Sequence, residues 1–526
     1  MSVMVSMSND SGIIQESHNN ETNTGRDSIG PKCGLLTASA HDIDKSGLRL
    51  LLAFMVVWCG FWLWISGGPI SHRPADDLTF NSMFTHLLHG QFDVDPHIVG
   101  NEGYIRNGHV YAYWGIWCAL LRFPLWILSR MDIDMTVWSC LAAVCIACIA
   151  KLRTVLLLRR YGPQSPTAKS ATDLMLVYIV MGGSETSYLR AIIFQEVMFW
   201  AAAFAAIFVY FAIKGLLSRE FDLCTLCWMA LSAGLALLTR VSTGIGLILA
   251  LGLLLLTLAV QSSPVAPNRR LVLGQWKDIL RSRRTLIPLG ILALCIAVTG
   301  AVNYFRWGDP MTFVDNRLYI GNNIWPDRLP RESTYGLFNV SRIPFGLIYY
   351  FFPVWILRTS SAHFLFEQSQ MRLFDVIELP PSSFLLTDLL PFCFIAFLVI
   401  ALVKRRSGML PPVSQCTAIA AGLLVPCILM LTAISMTHRY RMEFYPEIDF
   451  LAFLGLYLTF NDEKMQAVFA RCRNWMSAAL VVSVVASIVV LILYQRASLG
   501  PAQEFLRNRI VQISVLWHSG AAWRLG

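Results

Sequence analysis

Charge is scarce in this sequence. Only 14% of its 526 residues are Asp, Glu, Lys or Arg, against about 25% in a soluble globular domain, so a soluble fold is excluded. No Walker A loop, Gly-rich dinucleotide fingerprint, zinc signature or nucleophile elbow occurs in a supporting context. No apolar run lies near the first residue, so no cleaved signal peptide is expected. Internal repeats and low-complexity linkers are missing as well. Cysteine is not short, at 13 residues, but the number is odd and most lie inside apolar runs. They read as small core residues rather than a disulfide framework. Cys224 and Cys227 form an isolated C-x-x-C at the start of an apolar run.

Long apolar runs fill the chain instead. Hydrophobic residues make up 56% of it and the mean hydropathy is +0.55. The sequence predicts an all-α polytopic membrane protein with about eleven transmembrane helices and interfacial helices in the first outside loop. The net charge of +9 does not point to nucleic acid, because most of it falls between spans.

Residues 1–44 are polar and read as a disordered cytoplasmic tail. The first span, about 48–66, follows Lys45 and Arg49, which place the N-terminus in the cytoplasm. Residues 111–128 resemble a span, but counting them as one would put Lys151, Arg153, Arg159 and Arg160 outside. The positive-inside rule disfavours that. Residues 111–128 are therefore read as a helix lying in the outer interface. Further spans follow at about 136–158, 171–186, 192–213, 223–238, 243–261, 285–303, 385–403, 414–435, 446–460 and 475–494. The membrane domain is 45–494. Its large extracytoplasmic loops are 67–135 and 304–384, and the C-terminal tail 495–526 also lies outside. The expected location is the plasma (inner) membrane, with the chemistry facing out.

Several short motifs recur in a recognisable order. Pro74-Ala75-Asp76-Asp77 is followed by an amphipathic stretch from Leu78 to His89 and then Gly90. Asn107-Gly108-His109-Val110-Tyr111-Ala112-Tyr113-Trp114 precedes an aromatic, proline-containing segment. Arg159-Arg160-Tyr161-Gly162 closes a span. Glu196 opens another span, and Thr239-Arg240 ends the one after it. In this order they resemble the GT-C superfamily of membrane glycosyltransferases, in the branch of the protein O-mannosyltransferases and aminoarabinose transferases (glycosyltransferase family 39-like). The chain has Asp-Asp where Asp-Glu is commoner, and its interfacial segment has no Lys-Pro-Pro.

The resemblance implies sugar transfer with inversion, from a polyprenyl-phosphate donor to a lipid, polysaccharide or protein acceptor. Such chemistry needs a carboxylate to take the acceptor proton and cations to hold the leaving phosphate. Asp76 and Asp77 are the candidate catalytic pair, with Asp76 preferred from the resemblance. Both could instead cap the following helix, since Asp is a strong N-cap. Asp93 and Asp95 are alternative bases or substrate ligands. As a D-x-D pair they could hold a divalent cation, and as a polar turn before Pro96 they could hold nothing.

The candidate phosphate ligands are Arg190, Arg240, His438, Arg439 and Arg441. Arg240 sits between two apolar runs, where a charge is expensive; snorkelling to headgroups is its alternative. The cations at 438–441 could instead pair with Glu443 or Glu447. Glu196 could bind a sugar hydroxyl or pair with Arg190. Tyr111 and Tyr113, with Trp114 and Trp117, line a groove in one reading and form a membrane aromatic belt in the other. Two competing classes are an O-antigen ligase or polymerase-like enzyme and a lipid-linked glycan transporter.

Overall fold

The computed structural model describes residues 55–56, 59–60, 78–162, 165–182, 191–262, 282–353, 373–375, 382–404 and 411–496, with backbone only for 262 and 490–496. The chain divides into Met1–His41 and Asp42–Gly526, and the described residues all belong to the second unit. Asp76, Asp77, Arg190, most of the first predicted span and the C-terminal tail lie outside the described residues.

The described fold is mostly helical, and most of its helices fall on the apolar runs, the polar Arg328–Tyr335 excepted. The main helices are α1 (Thr79–Leu88), α2 (Trp117–Leu120), α3 (Phe123–Ile127), α4 (Thr136–Tyr161), α5 (Pro166–Met181), α6 (Ile193–Ser218), α7 (Leu223–Leu237), α8 (Val241–Ser262), α9 (Arg283–Trp307), α10 (Arg328–Tyr335), α11 (Ile343–Phe351), α12 (Leu389–Val403), α13 (Val413–Thr432), α14 (Tyr445–Asn461) and α15 (Glu463–Arg496). Two four-residue helical turns, Pro96–Val99 and Phe384–Thr387, stand apart from the main helices. A hairpin, β1 (Tyr104–Arg106) and β2 (His109–Tyr111), lies between α1 and α2. Among the described residues six helices, α4, α6, α8, α9, α13 and α15, are long and apolar enough to cross a membrane. The chain is a helical polytopic membrane protein.

α6 is the hub. It is apolar on most of its surface, as a helix surrounded by other helices must be, and most of its residues are buried. It packs on α4 and α7; α7 packs on α8 and α9, and α8 on α13. Small residues allow these approaches. A Cβ on Gly422 of α13 would come within 2.6 Å of three Ala250 atoms on α8, so those two backbones are nearly in contact.

The loops at one end of the bundle are tied by buried arginines. Arg342, fully buried, donates to the carbonyls of Gly336, Leu337, Leu373 and Thr432 at 2.9–3.0 Å. One planar five-donor head thus ties together three segments of the chain, 336–337, Leu373 and the end of α13 at Thr432.

The stretch expected as one interfacial helix differs. Residues 112–116 are non-helical, followed by two short helices, α2 and α3, which break at Leu121–Arg122. Arg122 turns inward and is fully buried, while Phe123, Trp126, Ile127 and Leu128 stay exposed. That apolar outer face fits an interfacial position.

Candidate functional site

α1 begins two residues after Asp77 and ends at Leu88; Gly90 just beyond it has a φ of 73°, the left-handed conformation that ends helices. The chain then reverses, and Asp93 meets two imidazoles. His86 Nδ1 lies 2.8 Å from one oxygen and His109 Nδ1 lies 2.7 Å from the other. Burial alone would raise the Asp93 pKa, but the hydrogen bonds from His86 and His109 outweigh it and hold the carboxyl below its usual range. Ser82 Oγ donates to Asp95 at 2.9 Å, and the Asp95 amide donates back to Ser82 Oγ at 2.9 Å. Asp93 and Asp95 thus fasten α1 to the hairpin. Among the described residues no three His, Cys, Asp or Glu side chains converge as a metal site, so the D-x-D cation expectation finds no ligand set there.

His109 is aimed by a tight turn. Asn107 and Gly108 take φ values of 53° and 82°, the geometry of a two-residue hairpin loop. The N-G dipeptide between alternating apolar residues is a hairpin signal that the sequence reading passed over. The hairpin also joins the second large loop. Tyr104 bridges Tyr319, and the Ile320 amide donates to Gly103 O at 2.9 Å. Tyr104, Trp307 and Tyr319 form a buried aromatic cluster, with Tyr111 and Tyr113 packed against it. Burial, aided by Glu102 beside it, pushes the Tyr319 phenol up to about 12.

The cations converge one layer deeper. Arg240 lies in the link between α7 and α8 and stacks on Tyr440 at 5.1 Å. Arg439 covers Tyr440 at 5.6 Å and Phe194 at 4.8 Å. Glu443 partners Arg240 and accepts from Ser242 and Thr243 at 2.6 Å each. Tyr113 lies in the same field: burial raises its pKa, Tyr440 adds to the rise, and Arg439 and Arg240 offset it. The backbone that carries Tyr113 presses on the Arg240 link. A Cβ on Gly115 would fall 2.1 Å from Leu238 O, and the Trp117 amide donates to that same carbonyl at 3.1 Å.

The structure therefore brings together Tyr113, Arg240 and Arg439, and it engages Glu196 and Arg441 elsewhere. Glu196 does not await Arg190. It forms a two-point ion pair with Arg122 at 2.5 and 2.8 Å, and neither side chain is exposed. Arg441 pairs with Asp388 at 2.7 Å rather than with Glu443 or Glu447. Both partners are fully buried, with Tyr178, Thr387 and Tyr445 also on that carboxylate. His438 is buried beside this turn. Tyr111 contacts Trp307 at 6.0 Å, away from the cation pair. Sequence reasoning missed Asp388 and Glu443 as the carboxylates that engage Arg441 and Arg240. Each is an acidic residue at the edge of an apolar run, which was the available signal.

No family model matches the chain, and no curated protein matches it. Among solved structures, it is similar to an archaeal oligosaccharyltransferase, AglB, from Archaeoglobus fulgidus, in complex with an inhibitory peptide and a dolichol-phosphate. The identity is 12%, the TM-score 0.42, and the match covers 88% of this chain and 60% of that one. A second structure of an Archaeoglobus fulgidus oligosaccharyltransferase, tethered to an acceptor peptide, matches at 12% identity and a TM-score of 0.40, over 85% of this chain and 55% of that one. The chain thus spans little more than half the length of these two structures.

Proposed function

We propose that this protein is a GT-C type glycosyltransferase that moves a sugar from a polyprenyl-phosphate donor to an acceptor on the extracytoplasmic side of the membrane. The observation that supports it most is the Arg439–Tyr440–Arg240 stack, at the end of the bundle where α1 and the 112–116 stretch converge. Guanidinium groups on an aromatic base suit a phosphate better than lysines would, because their planar forks bind oxyanions two at a time.

In this reading the acceptor oxygen attacks the anomeric carbon and forms the new glycosidic bond. The bond from that carbon to the phosphate oxygen breaks, and the electron pair leaves with polyprenyl phosphate, held by Arg439 and Arg240. A carboxylate of the Asp76-Asp77 pair takes the acceptor proton. Attack from the face opposite the leaving group inverts the configuration. Asp93, already engaged by His86 and His109, is assigned an anchoring role.

A polyprenyl-phosphate titration of Arg439→Met beside wild type tests the phosphate assignment. The variant is expected to lose affinity, and unchanged affinity refutes the assignment. One observation favours a second reading as a lipid-linked glycan transporter: Lys151 and Asp449 form an ion pair at 2.7 Å inside the bundle, and intramembrane charges often mark transport paths. Donor flipping in proteoliposomes without sugar transfer would support it.

A further inference from the structure

The last turn of α9 carries two arginine contacts that run in opposite directions. Arg106 Nη1, on β1, donates to the carbonyl of Arg306 at 3.0 Å. Arg306 Nη1 donates to the carbonyl of Trp114, beyond β2, at 2.7 Å. Arg306 Nη2 sits 3.3 Å from Met83 Sδ on α1. A single guanidinium therefore touches both the helix that follows Asp76-Asp77 and the stretch that carries Tyr113.

That guanidinium is poorly compensated. Arg306 is 2% exposed and its Nε has no hydrogen-bond partner. Among the described residues no carboxylate pairs with it; its polar contacts are a carbonyl and a thioether. Burying a full charge on these terms is among the costlier things a side chain can do. The other buried arginines are matched: Arg122 has Glu196, Arg441 has Asp388, and Arg342 has four carbonyls. Packing alone would be served better by an apolar chain of similar length.

The position indicates what the charge is for. The Trp114 carbonyl that Arg306 holds lies between Tyr113 and Gly115, the residues that meet the Arg240 region. The Trp114 ring contacts Phe194 at 5.6 Å, and Phe194 carries Arg439. Glu443 neutralises Arg240, whereas Arg306 keeps its charge. Through a low-dielectric interior an uncompensated cation acts on an anion that it does not touch.

We propose that Arg306 is a positioning residue for the donor. It fixes the 113–115 stretch against α1, and it supplies a standing positive charge that the donor phosphate offsets on binding. This rests on the glycosyl-transfer reading above, and it adds a third cation to the two that would contact the phosphate.

The test uses purified full-length protein, titrated with a long-chain polyprenyl phosphate, with thermal midpoints read in the absence of lipid phosphate. Arg306→Met is expected to bind on the order of tenfold more weakly, the effect of losing one charge through the protein interior. Its midpoint should equal or exceed that of wild type, because an apolar chain replaces an uncompensated charge. Arg306→Lys keeps the charge and should recover most of the affinity. Wild-type affinity in Arg306→Met overturns the proposal. So does an affinity loss that tracks a lowered midpoint, or a lysine variant as weak as the methionine one. If wild type itself binds no polyprenyl phosphate, the donor reading fails and the proposal fails with it.

Discussion

Arg122 and Glu196 meet in a two-point ion pair sealed from solvent, one side chain from the loop between α2 and α3 and the other from the first turn of α6. Asn81 of α1 accepts from Arg122 Nε at 3.0 Å, so the pair pins the first large loop to the hub of the bundle. Removing one partner strands a buried charge, which costs about 3–5 kcal/mol. Glu196→Gln and Arg122→Met should each lower the thermal midpoint strongly. The double variant Arg122→Met/Glu196→Leu should recover most of the loss. A double variant no better than the singles would show that the pair is not the source of the cost.

Glu443 is held by Arg240, Ser242 and Thr243. Arg240→Met is therefore expected to have two effects. It should weaken donor binding and also lower the thermal midpoint, because it leaves Glu443 buried without its cation. Parallel titrations and melts of this variant and wild type check this. Equal midpoints would mean that Arg240 is not the counter-ion on which Glu443 depends.

Asp93 gives a pH prediction with a definite sign. Its folded pKa lies below the ordinary carboxylate value. Its contribution to stability is therefore present in full above the unfolded value of about 4 and is lost as pH falls through the folded one. Asp93→Asn should be less stable than wild type at neutral pH, and the gap should close as pH falls through the lowered folded value. Unfolding midpoints measured across that range read it directly. A gap independent of pH would remove the carboxylate charge from the account.

Gly115 has no room for a side chain. A Cβ there would meet Leu238 O at 2.1 Å and Thr239 O at 2.8 Å, and both atoms are backbone that leads into Arg240. Gly115→Ala should displace that link, at a cost of about 1–3 kcal/mol or more, and should weaken donor binding at the same time. A melt and a titration of this single variant test both. Normal donor affinity would separate the link from the phosphate site.

Much of the fold was legible because lipid imposes a simple code. The apolar run at 223–238 became α7 almost residue for residue, and the run at 192–213 became α6, which continues five residues further to Ser218. The Asp76–Gly90 motif yielded α1 with Gly90 just beyond its end. What sequence could not supply was pairing. Arg122 and Glu196 are 74 positions apart, Arg240 and Glu443 are 203 apart, and no local pattern couples them. Arg441 looked equivalent to Arg439, two residues away. Neighbouring residues of a turn point in different directions, so one went to Asp388 and the other to the Tyr440 face. Arg306 was invisible for a related reason: its significance lies in having no carboxylate counter-ion among the described residues, which only three dimensions reveal.

The most direct test of the central claim is sugar transfer by purified protein. Polyprenyl-phosphate sugars are supplied as a panel, and wild type is run beside Asp76→Asn and Asp77→Asn. The account predicts transfer by wild type that depends on the donor. It also predicts loss of transfer in one of the two variants, with polyprenyl-phosphate affinity within about twofold of wild type, since the carboxylate acts on the acceptor proton and not on the phosphate. Full transfer by both variants, or transfer by wild type without any lipid-linked donor, would contradict it.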